Sequence, residues 1–327
     1  MKNKVTLLFP YFGASFPNTF DILIKSMNYN KDVNFLIITN IKSKKLENNI
    51  GKNTKIIYMT LKDLQKKATT LLNISVNLTD PYKICDLRPF FGIIFQEYLK
   101  DSKWWGHYDP DIVLGDLNKF IKSSIFNEYD KVLTNGHLTF YKNTDFVNHL
   151  AFHDFGYKCA PTYKEVLTSK ASFNFDEWGK GKRKGRGISW LIDKTSIIKQ
   201  YDNKNIFADV NPIYSSFILV PSNKHIKYFV YKEGKIWGQE QNEQKHEYLY
   251  VHFQKRTLDI RGKLATDRNI YFYPNFITNT LIKNFKMTSA DRALWKKRFS
   301  NREKRRKKEH WNLPTIKRRL RFMFTEF

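Results

Sequence analysis

Residues 104–116 read WWGHYDPDIVLGD. Trp104, Trp105, Gly106, His107 and Tyr108 lead into two acids, Asp109 and Asp111, and apolar residues resume at once with Ile112, Val113 and Leu114. An aromatic run of this kind predicts a buried strand that ends in a carboxylate pair. Two acids one residue apart are also what a solvated turn looks like. The strand-like approach, the lack of a local Lys partner and the apolar resumption favour acids held at a sheet edge.

The flanks place this stretch in an α/β frame. KVTLLFPYFG at the start is a short apolar run that stops at Pro and Gly. Pro17 then opens a helix with Phe20, Leu23, Ile24 and Met27 at i, i+3, i+4 and i+7. Strand-like VNFLIITN (33–40) and TKIIYMT (54–60) follow, then a helix from Leu61 to about Leu72 with Leu64, Ala68 and Leu71 on one face. A second helix is expected from about Tyr82 to Leu99, interrupted in pattern by Pro89 and Gly92. Beyond the acids come a short helix near Asp116–Ile121, strand-like YDKVLTNG and HLTFYKN, a hairpin in HIKYFVYKEGKIWGQE and a strand in EYLYVHFQKR. Strands interleaved with helices predict a sheet with helices on both faces and ligands at the carboxyl ends of its strands.

The chain has 327 residues, 41% of them apolar, enough for a sizeable core. No stretch of about 18 or more apolar residues occurs, and the start lacks a long apolar leader core, which predicts a cytoplasmic protein. Cys85 and Cys159 lie in no Cys/His cluster, so buried free thiols are expected rather than a zinc site. The net charge is +26, from 57 Lys and Arg against 31 Asp and Glu, which favours anionic partners. A nucleic-acid-binding protein would use that charge, yet no recognisable nucleic-acid-binding motif is present and Asp109 and Asp111 would be left without a role. A metal-dependent phosphoesterase would use the acids, but its two-metal chemistry needs more clustered acids and histidines than residues 107–116 supply.

The segment PYKICDLRPFFGIIFQEYLKDSKWWGHYDPDIVLGDL (81–117) resembles the nucleotide-sugar-binding core of bacterial GT-A glycosyltransferases, particularly those encoded with capsule and exopolysaccharide genes. In these a Lys/Asp/Arg cluster precedes a WGHxDxDxxxGD segment. The likeness covers most of residues 4–256, through FPYFG, GHLTFYKN, FDEWG and VHFQKR in order. It implies a GT-A-like domain over residues 1–285 and a donor that is a nucleoside-diphosphate sugar, a UDP-sugar. It also implies a divalent ion, Mn2+ or Mg2+, on Asp109, Asp111 and His252, with Asp109 also near the ribose. Pro110 departs from the usual small or apolar middle residue. Pro10, Tyr11 and Phe12 would flank the base, Lys83, Asp86 and Arg88 the nucleotide and sugar, and Lys255 and Arg256 the diphosphate. Asp176 or Glu177 would serve as base or orienting group toward a glycan or lipid-linked acceptor, with Trp178 beneath a sugar ring. Each has a plainer reading. His252 suits a core strand, PYFG a turn, residues 83–88 a surface ion pair, Lys255 and Arg256 a solvated strand end, and FDEWG a capped helix start with Trp178 in the core.

Two basic segments remain. GKGKRKGRG (179–187) lacks the spacing of a phosphate-binding loop and reads as a solvated basic loop or a lid. Residues 286–327 form a separate basic tail, with thirteen Lys or Arg between 296 and 321 against Glu303 and Glu309. Trp295, Phe299 and Trp311, followed by a stripe of Leu313, Ile316, Leu320, Met323 and Phe327, suit a helix lying on the anionic inner face of a membrane. A helix docked on the protein's own core and a nucleic-acid arm are the other readings, and no nucleic acid is expected.

Overall fold

The computed structural model describes residues 4–181, 185–264 and 268–310, together with Ile316 and Leu320. The opening run forms strand β1 (Val5–Tyr11), helix α1 (Phe20–Tyr29) follows, and the next two runs form β2 (Asn34–Thr39) and β3 (Thr54–Tyr58). Around the acids lie β4 (Trp104–Tyr108), β5 (Ile112–Leu114), β6 (Lys131–Val132) and β7 (Leu138–Lys142). The first sheet runs in the order Gln200–Tyr201, β6, β7, β4, β1, β2, β3. β4, β1, β2 and β3 are parallel, and β7 is antiparallel to β4.

Alternate side chains of these strands enter two different cores, as the two-residue period of a strand requires. Leu8, Leu36, Ile38 and Trp105 face the helix Leu61–Leu72 and the segment carrying Leu87, Phe90 and Phe91. Leu7, Phe9, Phe35, Ile37 and Trp104 face α1 through Phe20, Leu23, Ile24 and Met27. Burial on both faces explains why the parallel strands read as continuous apolar runs. Gly106 is needed in β4 because a Cβ there would lie 2.3 Å from the Thr139 carbonyl of β7. The α/β class with helices on both faces is thus observed.

Local readings differ from the structure in identifiable ways. The helix expected over Tyr82–Leu99 is broken into 3-10 turns at Pro81–Phe90, one α turn at Phe91–Ile94 and a 3-10 turn at Gln96–Tyr98. Pro89 has no N–H to donate to a helical ladder. Leu71 is exposed, and Leu72 takes its buried position. Neither cysteine forms a disulfide, and only Cys159 is fully buried. In the basic stretch Gly179–Gly181 pairs with Gly185–Arg186 as a short antiparallel ladder.

A ten-stranded second sheet contains the hairpin His225–Lys232/Lys235–Glu240, turned at Glu233 and Gly234 with φ of 47° and 77°. β5 lies at one edge of this sheet, so the chain passes from one sheet to the other at Asp109-Pro110-Asp111. The C-terminal helix Ser289–His310 begins with a reciprocal cap: Asp291 N–H donates to Thr288 Oγ1 (3.0 Å) and Thr288 N–H to Asp291 Oδ2 (3.1 Å). Trp311, Leu313, Met323 and Phe327 lie outside the described residues. Among the described residues no helix is long and apolar enough to cross a membrane.

Candidate metal centre

The first sheet's ladder continues one residue past β4, because the Asp109 N–H donates to the His137 carbonyl at 3.1 Å. Pro110, lacking an N–H, interrupts it. β5 then pairs antiparallel with the strand Tyr250–His252, Ile112 opposite His252, and the Phe253 N–H reaches the Asp111 carbonyl at 3.0 Å. On its other side that strand runs parallel to Ala208–Val210, which sets Asp209 beside His252. The two acids therefore stand where β4 delivers its carboxyl end, on a seam between sheets.

Asp109, Asp111 and His252 each bring one ligand atom into a group whose members lie within 4.8 Å of one another. His252 Nε2 is 3.5 Å from Asp111 Oδ1, and its Nδ1 is 2.8 Å from Asp209 Oδ1. Asp209 is itself held by two hydrogen bonds from Gln254 Nε2, at 2.8 and 2.9 Å. A carboxylate on one ring nitrogen fixes the tautomer that leaves the other as a ligand. The backbone N–H of Lys255 holds the second oxygen of Asp111. Lying between two carboxylates, the His252 imidazole is pushed up to about 10 against the effect of burial, and Asp111 is held low by His252 and Lys255. The seam calls for a positive charge. Two carboxylates and one imidazole make a mainly hard donor set that suits Mn2+ or Mg2+.

Arg88 ties this centre to the FDEWG segment. Its Nη2 pairs with Asp109, while its Nη1 donates to Asp176 Oδ2 (2.7 Å) and to the Gly136 carbonyl (2.8 Å). Gly136 permits that approach: a Cβ there would meet Asp176 Oδ2 at 2.6 Å and Arg88 Nη1 at 3.1 Å. Asp176 is only 1% exposed, and burial pushes its carboxyl up to about 8 against the pull of Arg88. Glu177 is half-buried and accepts from Asn174 Nδ2 at 3.0 Å. Trp178, also half-buried, donates its indole N–H to Thr134 Oγ1 at 3.1 Å.

Other sequence candidates are placed elsewhere or used up. Lys83 and Asp86 form a buried pair at 2.7 Å. The three donors of Lys83 are spent on Asp86, the Val166 carbonyl (2.6 Å) and the Ala171 carbonyl (2.9 Å). Asp86 also accepts from the backbone N–H groups of Phe173 and Phe175, so the pair holds the chain that leads into Asp176. That arrangement commits the pair to holding the fold, with every Lys83 donor engaged inside the protein. Arg256 likewise turns away from the seam. Its guanidinium donates to the carbonyls of Tyr214 (2.6 Å), Ser215 (3.0 Å) and Pro274 (3.2 Å) rather than facing the acids. Phe12 is a core residue rather than an exposed base contact. Pro10 and Tyr11 are half-buried at the carboxyl end of β1, and the phenol of Tyr11 is raised by burial and by the charge of Asp111. Lys255 is exposed, its ammonium 4.2 Å from the Tyr82 ring centroid.

Two residues in the centre were not singled out in the chain: Asp209, and His137 within the GHLTFYKN motif. His137 stacks on His252 at 4.4 Å and shares a hydrogen bond with Tyr250 Oη at 2.7 Å. His137, Asp209 and His252 form a second group that could hold an ion.

Residues 7–281 match the model of a family of unknown function, DUF6625, and the chain belongs to that family. No curated protein sequence matches it. Among solved structures it is similar to an active-site mutant of LgtC, with 10% identity and a TM-score of 0.37 over 77% of this chain and 88% of that one. The galactosyltransferase LgtC in complex with donor and acceptor sugar analogues is similar at 10% identity and a TM-score of 0.35, over 76% of this chain and 86% of the other. Mouse xyloside xylosyltransferase 1, apo form, is similar at 10% identity and a TM-score of 0.26, over 41% and 52%.

Proposed function

We propose that the chain is a GT-A-type glycosyltransferase that moves a sugar from a nucleoside-diphosphate sugar, a UDP-sugar, to a glycan or lipid-linked acceptor. One observation carries the reading: Asp109, Asp111 and His252 converge at the carboxyl end of a parallel strand, and Asp209 holds the far nitrogen of the histidine. Parallel sheets bind ligands at that end. Asp109, Asp111 and His252 would hold Mn2+ or Mg2+, which supplies charge stabilisation to a diphosphate leaving group. Tyr11 and Lys255 border the seam and are the candidates for the base and the phosphates. Arg88 keeps Asp109 oriented, and Asp176 keeps Arg88 in place. The half-buried carboxylate of Glu177 is better placed than Asp176 to meet an acceptor hydroxyl, because Asp176 is closed off from solvent.

For location we propose the cytoplasm, with an anionic membrane surface as a partner of the C-terminal helix. Arg292, Lys296 and Lys297 are exposed on it and offer a basic face to lipid headgroups.

Titration calorimetry with Mn2+ alone, Mn2+ plus UDP or GDP, and an oligonucleotide tests the reading. Metal-dependent nucleotide binding is expected. Binding of the oligonucleotide without any nucleotide-diphosphate response would refute it, and phosphate release from simple esters would favour a phosphoesterase. Turnover of a nucleotide-sugar panel, with the product's anomeric configuration read by NMR, identifies the donor and the stereochemistry.

A further inference from the structure

The turn that follows His252 is held from a distance. Gln254 and Lys255 both have positive φ, 50° and 59°, although neither is glycine. Non-glycine residues persist in that region only where their surroundings over-determine it. Here the turn aims two groups at the centre: the Gln254 amide at Asp209 and the Lys255 N–H at Asp111.

The outer side of the same turn is gripped by the C-terminal helix, 48 residues along the chain. Arg302 Nη1 donates to the Gln254 carbonyl at 3.0 Å. One helical turn earlier, Arg298 binds both oxygens of Asp259 at 2.8 and 2.7 Å and the Thr257 carbonyl at 3.3 Å. The Arg302 guanidinium lies 5.1 Å from the Phe299 ring centroid, which restrains its swing. The helix is anchored at its other end, where Asn275 Nδ2 donates to the Asp291 carbonyl at 2.7 Å.

We propose that Arg302 is a positioning residue for the metal centre: by holding the Gln254 carbonyl it keeps the left-handed turn that presents the Lys255 N–H to Asp111 and the Gln254 amide to Asp209. The word metal rests on the function proposed above, but the hydrogen-bonded turn does not. On this inference the basic helix has two faces with separate work, an inward face that braces the site and an outward face of Arg292, Lys296 and Lys297 that meets solvent or lipid.

The test uses the full chain as Arg302→Ala, Arg302→Lys and, as a charge control on the same helix, the exposed Lys304→Ala. Amide hydrogen exchange is read at Lys255, and Mn2+ affinity is measured with UDP present. Arg302→Ala should speed exchange at Lys255 roughly 10-fold and weaken Mn2+ binding by roughly 10-fold, within the range for groups that support a ligand shell. Arg302→Lys, which keeps a cationic donor, should recover part of both, and Lys304→Ala should change neither. Wild-type exchange at Lys255 in Arg302→Ala overturns the inference. So does a rise in exchange spread evenly over the chain, since that marks general stability rather than positioning. If Arg302→Ala fails to fold, unchanged exchange and affinity in Arg302→Lys together with unchanged values in a second partial variant, Arg302→Gln, overturn it. Should wild-type protein bind no Mn2+ with UDP, the proposed function falls while the exchange at Lys255 still decides the role of Arg302.

Discussion

Replacing Asp209 by alanine probes the centre through a residue that touches no expected substrate. The change removes three hydrogen bonds: from His252 Nδ1 at 2.8 Å and from Gln254 Nε2 at 2.8 and 2.9 Å. The imidazole then loses the partner that fixes its tautomer and ring plane, and the turn after it loses one of its anchors. Outer-shell partners of this type alter metal affinity by about 10–100-fold, which is about 1.4–2.8 kcal/mol at 1.4 kcal/mol per factor of ten. Asp209→Asn retains an oxygen for the Nδ1–H, so its loss should be smaller, under about 10-fold. Mn2+ titration in the presence of UDP measures both variants, alongside His252→Ala and the double variant. If His252 is a ligand oriented by Asp209, then Asp209→Ala should add little on the His252→Ala background, because there is no ring left to orient. Full additivity of the two changes, or wild-type Mn2+ affinity in Asp209→Ala, would refute the reasoning and return His252 to the status of a core histidine.

Asp111→Ala should abolish metal-dependent nucleotide binding in calorimetry while the protein still melts cooperatively; unchanged affinity would remove Asp111 from the site. Gly136→Ala should force apart the Arg88–Asp176 pair, since the new Cβ lies 2.6 Å from Asp176 Oδ2. A loss of about 1–3 kcal/mol in urea unfolding is expected for such overpacking, and wild-type stability would show that the contact relaxes freely. Replacing Arg292, Lys296 and Lys297 together by Glu should retain Mn2+ binding and weaken co-sedimentation with anionic liposomes, whereas truncation before Ser289 should damage the centre as well; equal sedimentation of the wild type and the triple variant would sink the membrane role. Burial pushes the Lys131 ammonium down to about 7, below its unfolded value of about 10.4. The unfolded chain therefore binds more protons between those limits, and stability rises with pH across the window. Lys131→Met should flatten that rise in melting curves taken at intervals from neutral to alkaline pH, and a slope identical to wild type would place the ammonium's titration outside the window.

Local chemistry in the chain sufficed for the first strands, for α1, for the hairpin and for part of the centre, but not for the broken segment 81–98. Val5–Tyr11, Asn34–Thr39 and Trp104–Tyr108 are strands because continuous apolar runs have nowhere to go but a sheet covered on both faces. The Phe20, Leu23, Ile24, Met27 spacing specifies the buried face of α1, and Glu233-Gly234 specifies a two-residue turn. Asp109 and Asp111 stand out because acids at the end of an aromatic strand are costly unless something cationic meets them. What no local pattern contains is which charges turn inward. Lys83, Asp86 and Arg256 look like ligand-binding residues in the chain, yet folding spends them on backbone carbonyls and N–H groups from segments about 20 to 90 residues away. Asp209 is unremarkable in FADVNP until strand pairing sets it beside His252, and Arg302 is one basic residue among many until the helix lies against the turn at Gln254. Periodicity reports which face of an element is apolar. Partners at long sequence separation are chosen only when sheets and helices pack, because a buried charge must find whatever opposite charge or carbonyl the finished fold brings within hydrogen-bonding reach.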